Sequence, residues 1–145
     1  YPLYADLKKY LYDTGKASGE HAGTVLYSRG LYAGMLAAEA ARTAQEISGR
    51  KDITSGDMRD GLEALEITEE RMAEIGLPNF GPSFKVSCEN HGGPMISAVQ
   101  QWDAKAKKWS LITDFTGADM EVIDALIKED SAAYAAENNI AERCN

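Results

Sequence analysis

The stretch Phe84-Lys-Val-Ser-Cys-Glu-Asn-His-Gly-Gly93 places Cys88 three residues before His91, beside a carboxylate and ahead of two glycines. A C-x-x-H pair can supply two zinc ligands. A structural zinc site needs four, and the rest of the chain offers only His21 and Cys144, with no second closely spaced pair. A Cys–His nucleophile is another reading, which asks for a thiolate held in an electropositive setting such as a helix N-terminus. Cys88 falls instead at the end of an expected strand. A third reading pairs Cys88 with Cys144 as a disulfide that staples the C-terminal helix to the strand region. Such a link contributes about 4 kcal/mol through loop closure and requires an oxidising compartment.

Tyr27, Ser28, Arg29 and Tyr32 form a polar and aromatic cluster near the start of the strongest helix signal. A helix N-terminus with an arginine nearby can receive a carboxylate ligand; exposed arginine and core tyrosines are the plainer reading. Gly30 and Gly34 are four apart on the same helix. They leave room either for another backbone or for a ligand near the helix start, at a cost of about 1 kcal/mol each against alanine. Glu63, Glu66, Glu69, Glu70 and Glu74 read as a solvated helix face. No phosphate-loop, dinucleotide, zinc-protease or serine-elbow motif is present. The residues give no positive sign of catalysis, metal or cofactor, so no enzyme is expected.

The elements that must position these groups follow from periodicity. Residues 4–13 place Tyr4, Leu7 and Leu11 on one helical face. Residues 24–47 form a long helix with Thr24 as cap and Leu31, Met35, Leu36 and Ala38 on its apolar side. Thr54 with Asp57 resembles a capping box before a helix over 54–65. Thr68 starts a short helix that Gly76 ends. Beyond Pro78 the texture changes. Phe84, Val86 and Cys88 alternate as in a strand, and residues 95–102 and 108–113 alternate around Asp-Ala-Lys-Ala-Lys, a hairpin with a five-residue loop. Trp102 and Trp109 flank it. Residues 119–138 form the last helix, with Asp119 as cap and Ile123, Leu126, Ile127 and Tyr134 as its stripe.

The net charge of −8 across 145 residues, with scattered lysines, excludes the basic stripe that a nucleic-acid partner needs. No apolar run approaches the roughly 20 residues that span a bilayer. The start lacks the basic and apolar parts of a signal peptide. Helices outnumber strands, which suits a small α+β domain or a piece of a larger α/β protein.

Several stretches in order, Thr24–Gln45 (TVLYSRGLYAGMLAAEAARTAQ), Ile53–Leu77 (ITSGDMRDGLEALEITEERMAEIGL), FGPSFKVSCENHGG and AVQQWDAKAKKWSLITDF, resemble bacterial periplasmic solute-binding proteins of the branched-chain amino acid group of ABC importers. The resemblance covers almost the whole chain; its specificity lies in the ordered set. It implies an α/β fold: a C-terminal fragment of a two-lobe, type I periplasmic-binding-protein fold, helix-rich with a β-hairpin. Residues 1–78 would be the helical part of one lobe, 79–118 the hinge strand and hairpin, and 119–145 the terminal helix. It further implies a periplasmic location, a signal peptide in the full-length precursor, and a Cys88–Cys144 disulfide. The ligand would be a small carboxylate-bearing solute, an amino acid or an aromatic acid, contacted by Tyr27, Ser28 and Arg29 and delivered to a membrane permease. A ligand-sensing domain of a receptor and a cytosolic Cys/His enzyme are the alternatives. A lobe cut from its partner strands is expected to pair with itself through residues 84–113.

Overall fold

The computed structural model describes residues 1–141, 143 and 144. They divide into two compact units, Tyr1–Gly93 and Pro94–Asn145.

The first unit begins with α1 (Pro2–Leu7), whose proline stands where a helix needs no N–H. It continues as a π-helical turn over Lys8–Tyr12, in which the Asp13 N–H reaches the Lys8 carbonyl at 2.9 Å. Helix α2 (Val25–Ser48) starts at Thr24, whose side chain accepts from the Tyr27 N–H at 3.4 Å, and stops at Gly49 in the left-handed region. Helix α3 (Ser55–Glu63) carries the full capping box: the Asp57 N–H donates to Thr54 Oγ1 at 3.2 Å, and the Thr54 N–H donates to Asp57 Oδ2 at 2.7 Å. Helix α4 (Glu69–Glu74) is capped on one side only: the Thr68 side chain accepts from the Arg71 N–H at 3.2 Å. Two short strands, β1 (Glu66–Ile67) and β2 (Phe84–Lys85), pair antiparallel with Ile67 opposite Phe84. The sequence reading had no strand at 66–67. Two residues between helices are too few to show a period, and their pairing with β2 is set by tertiary contact.

The core of this unit is Ala40, Leu65, Ile67, Met72 and Leu77, with Leu3, Leu31, Met35, Leu36, Phe84 and Val86 packed around it. Helix α3 lies against α2 at Gly61. A Cβ at Gly61 would stand 2.4 Å from the Ala40 carbonyl oxygen and 2.7 Å from the Ala44 Cβ. Only a glycine permits that approach.

The second unit contains β3 (Ile96–Ser97) paired antiparallel with β6 (Thr116–Gly117), and β4 (Gln100–Asp103) paired antiparallel with β5 (Lys108–Leu111). Trp102 and Trp109 face each other across the hairpin, ring centroids 5.6 Å apart. Asp103 pairs with Lys108, so the loop is four residues long, one fewer than the sequence reading. The Asp103 carboxylate accepts from the N–H groups of Lys105 and Ala106, both at 2.9 Å, which fixes the turn. Helix α5 (Met120–Asn138) starts at Asp119, which accepts from the Val122 N–H, and buries none of its residues.

The architecture is therefore mixed: helices with three two-stranded antiparallel sheets among the described residues. The two-lobe type I fold implied by the resemblance is not displayed. The described strands are short and pair antiparallel, whereas a lobe of the α/β kind rests on parallel strands with helical crossovers.

Candidate functional site

The first turn of α2 gathers the polar chemistry of the first unit. Tyr4 comes from α1, Tyr12 from the π-helical turn, and Tyr27 and Ser28 from α2. The Ser28 hydroxyl donates to the Thr24 carbonyl at 2.8 Å, so the Tyr4 hydroxyl, 3.0 Å away, donates to Ser28 Oγ. The hydroxyls of Tyr12 and Tyr27 are hydrogen-bonded to each other. The rings of Tyr4 and Tyr27 are tilted with centroids 6.1 Å apart. Tyr1 touches Tyr4 and meets Phe80 edge-on at 5.1 Å, and Phe80 stacks on Tyr32. The chain of rings thus runs from Tyr12 to Tyr32.

The bond to Tyr27 holds the Tyr12 phenol in its neutral form, and its pKa is pushed up to about 12. Burial raises that of Tyr32. Gly19 makes room for the Tyr12 ring: a Cβ there would come within 2.9 Å of the ring edge.

Of the three residues expected to contact a ligand, the structure joins Tyr27 and Ser28 to the cluster and leaves Arg29 apart. Arg29 is exposed and, among the described residues, makes no ion pair, whereas Arg42, Arg50, Arg59 and Arg71 each do. Successive residues leave a helix about 100° apart, so Arg29 departs from another side than Tyr27. Tyr4 and Tyr12 are members that the sequence reading missed. The available signal was density: Tyr1, Tyr4, Tyr10, Tyr12, Tyr27 and Tyr32 stand in the first 32 residues, against Tyr134 elsewhere.

Below the cluster an open apolar groove of about 360 Å³ runs along α2, lined by Leu3, Gly30, Leu31, Gly34, Met35 and Ile75 among others. A Cβ at Gly30 or Gly34 would meet nothing within 4 Å. Among the described residues, then, no second backbone packs on this glycine pair, and the space beside it is open. Glu39 also lines the groove, with its charge matched by two arginines. Arg71 grips both its oxygens at 2.7 and 2.8 Å, and Arg42 adds a bond at 3.0 Å. The Arg71 bonds chiefly hold its carboxyl below the ordinary range against the opposing effect of burial. This is a structural ion cluster tying α2 to α4.

Cys88 and Cys144 are both disulfide-bonded, and no cysteine is free. A nucleophile or a metal ligand has to be a thiolate, so the Cys88 readings of that kind fall. His91 instead lies 3.4 Å from the Glu63 carboxylate. No group of three or more His, Cys, Asp or Glu side chains among the described residues converges in a way that could hold a metal ion.

No protein-family model matches the chain, and no curated protein matches it. Among solved structures it is similar to the crystal structure of an ABC transporter permease from the Pseudomonas fluorescens group. The identity is 36% and the TM-score 0.85, over 100% of this chain and 35% of that one. The chain thus spans about a third of the length of the protein it matches. This corrects the reading drawn from the resemblance: the matching protein is described as a permease, not as a solute-binding protein of the branched-chain amino acid group. The stretches that carried the resemblance contain the glycines, caps and core positions described above. Those residues fix a fold, and a fold does not name what a protein binds.

Proposed function

We propose that the chain is part of a component of an ABC transporter, on the permease side of the assembly. The observation that carries this is its likeness, end to end and at 36% identity, to a protein described as an ABC transporter permease. No described helix is long and apolar enough to cross a membrane, so the contribution proposed for these residues is other than that of a spanning helix. Helix α2 supports this directly. At 24 residues it is long enough to cross a bilayer, yet it carries Glu39, Arg42 and Glu46 on its sides, paired with one another and, for Glu39, with Arg71.

The location proposed is the periplasm. Both cysteines are oxidised, and disulfides persist in oxidising compartments. No covalent chemistry is assigned to the chain; its role is that of a non-enzymatic part of a transport machine. Within it, Tyr27 and Ser28, with Tyr4 and Tyr12 beside them, are the residues proposed to touch the transported small molecule. Hydroxyls on an aromatic wall are suited to orienting a polar solute.

The test is purification of the full-length protein from native membranes. Copurification with an ATP-hydrolysing subunit is expected. A protein that carries no such subunit, and whose deletion leaves ATP-driven uptake intact, would overturn the assignment. Alkylation without reductant reads the compartment: two reactive thiols in protein taken from intact cells would refute the periplasmic placement.

A further inference from the structure

The second unit exposes what the first one buries. Leu111, Ile112, Phe115, Val122 and Leu126 are each between 55% and 57% exposed, and Trp109 is 62% exposed. Every residue of β4 and β5 is exposed. On α5 the apolar side chains Ile123, Leu126, Ile127 and Tyr134 recur at helical spacing, yet no residue of that helix is buried. A helix draws most of its stability from packing an apolar face, and a two-stranded hairpin alone is marginal in water. The unit therefore calls for a covering surface.

We propose that the outer faces of the β4–β5 hairpin and of α5 form an interface for polypeptide of the same protein that lies outside these 145 residues. Charge discriminates among the occupants. Helix α5 carries Glu121, Asp124, Glu129, Asp130 and Glu137 against Lys128 alone. Helices that lie in a membrane surface present Lys and Arg to anionic lipid, and this one presents the opposite sign. A second copy that packed α5 against α5 would bring two acidic helices together. Further polypeptide of the same protein faces neither objection, and the matching permease supplies the length: this chain covers 35% of it. The inference uses that length and not the transporter assignment, so either can fail without the other.

Hydrogen exchange on the full-length protein tests it. The amides of α5 are expected to exchange within about tenfold of those in α2, as for a packed helix. Trp102 and Trp109 are expected to resist quenching by acrylamide, and Leu126→Asp to lower the unfolding midpoint where Leu126→Met does not. Fast exchange throughout α5 would overturn the proposal. So would protection that grows with protein concentration, which would assign the face to a second copy. Protection arising only with phosphatidylglycerol vesicles would assign it to lipid. A natural polypeptide whose mass equals that of these 145 residues would also defeat it.

Discussion

Residues 1–93 and 94–145 both carry aromatic and branched apolar side chains, and both form most of their described secondary structure where local signals ask for it. They differ in what those side chains meet. In the first unit Leu65, Ile67, Met72 and Leu77 are closed off from water by side chains of four helices and a short strand pair. In the second, Trp102 meets Trp109 across a hairpin, and most large apolar side chains face outward. Local codes, caps and turn residues, write an element; they do not supply the surface against which it packs. The first unit contains both halves of that arrangement and the second contains one.

The sharpest way to break this comparison is to delete one apolar side chain from each unit. Leu77→Ala removes a fully buried side chain and is expected to cost about 2–5 kcal/mol. Leu126→Ala in the same 145-residue chain is expected to change stability by about 0.5 kcal/mol or less. Denaturant midpoints measure both, and equal losses would mean that α5 is packed after all.

A glycine pair sharpens the contrast within the first unit. Gly61→Ala forces a methyl onto the α2 backbone and is expected to cost about 1–3 kcal/mol. Gly34→Ala meets open space and is expected to stabilise by up to about 1 kcal/mol through helix propensity. Reversal of that order in thermal unfolding would place a partner backbone in the groove instead.

The capping box gives a pH signature confined to the first unit. Bonds from the Thr54 hydroxyl and N–H, then Arg50, hold the Asp57 pKa at about 2, below its ordinary value. A depressed carboxyl stabilises the fold above its unfolded pKa, near 4, and that contribution is lost as pH falls toward 2. Thr54→Ala is expected to cost about 1 kcal/mol at neutral pH and to flatten this acid limb of the stability curve. An unchanged limb would remove Asp57 from the account.

The smallest effect is spectroscopic. One phenol is expected to titrate near pH 12, and Tyr27→Phe to return Tyr12 toward the ordinary range. The sign at the alkaline end is opposite to that of Asp57. A raised phenol favours the fold below about pH 10, its unfolded value, and that help fades as pH rises to 12. Ultraviolet titration that shows all the tyrosines ionising together would rule out the Tyr12–Tyr27 bond.

Much of this was legible in the residues. Thr24, Thr54, Thr68 and Asp119 each cap the helix that follows them, because a side-chain oxygen three residues ahead of a free N–H is a local matter. The cross-strand pairing of Trp102 with Trp109 followed from alternation on both sides of a short polar loop. What stayed hidden depended on distant contacts. Gly61 carries no local mark of its closeness to α2. The Tyr12–Tyr27 pair joins residues from different elements, and β1 exists because β2 lies beside it. The assignment to a solute-binding family failed for a related reason, since its evidence was made of residues that serve packing and turning.

The π-helical turn over Lys8–Tyr12 decides where Tyr12 points. An i-to-i+5 bond takes up one residue more than an α-helical turn, and each residue turns the helix by about 100°. Loss of a single residue between Lys8 and Leu11 would let the α register run on and swing the phenol that follows by that angle, away from Tyr27. The tyrosine pair is thus a question of phase: it is held by the count of residues before Tyr12 as much as by their identity.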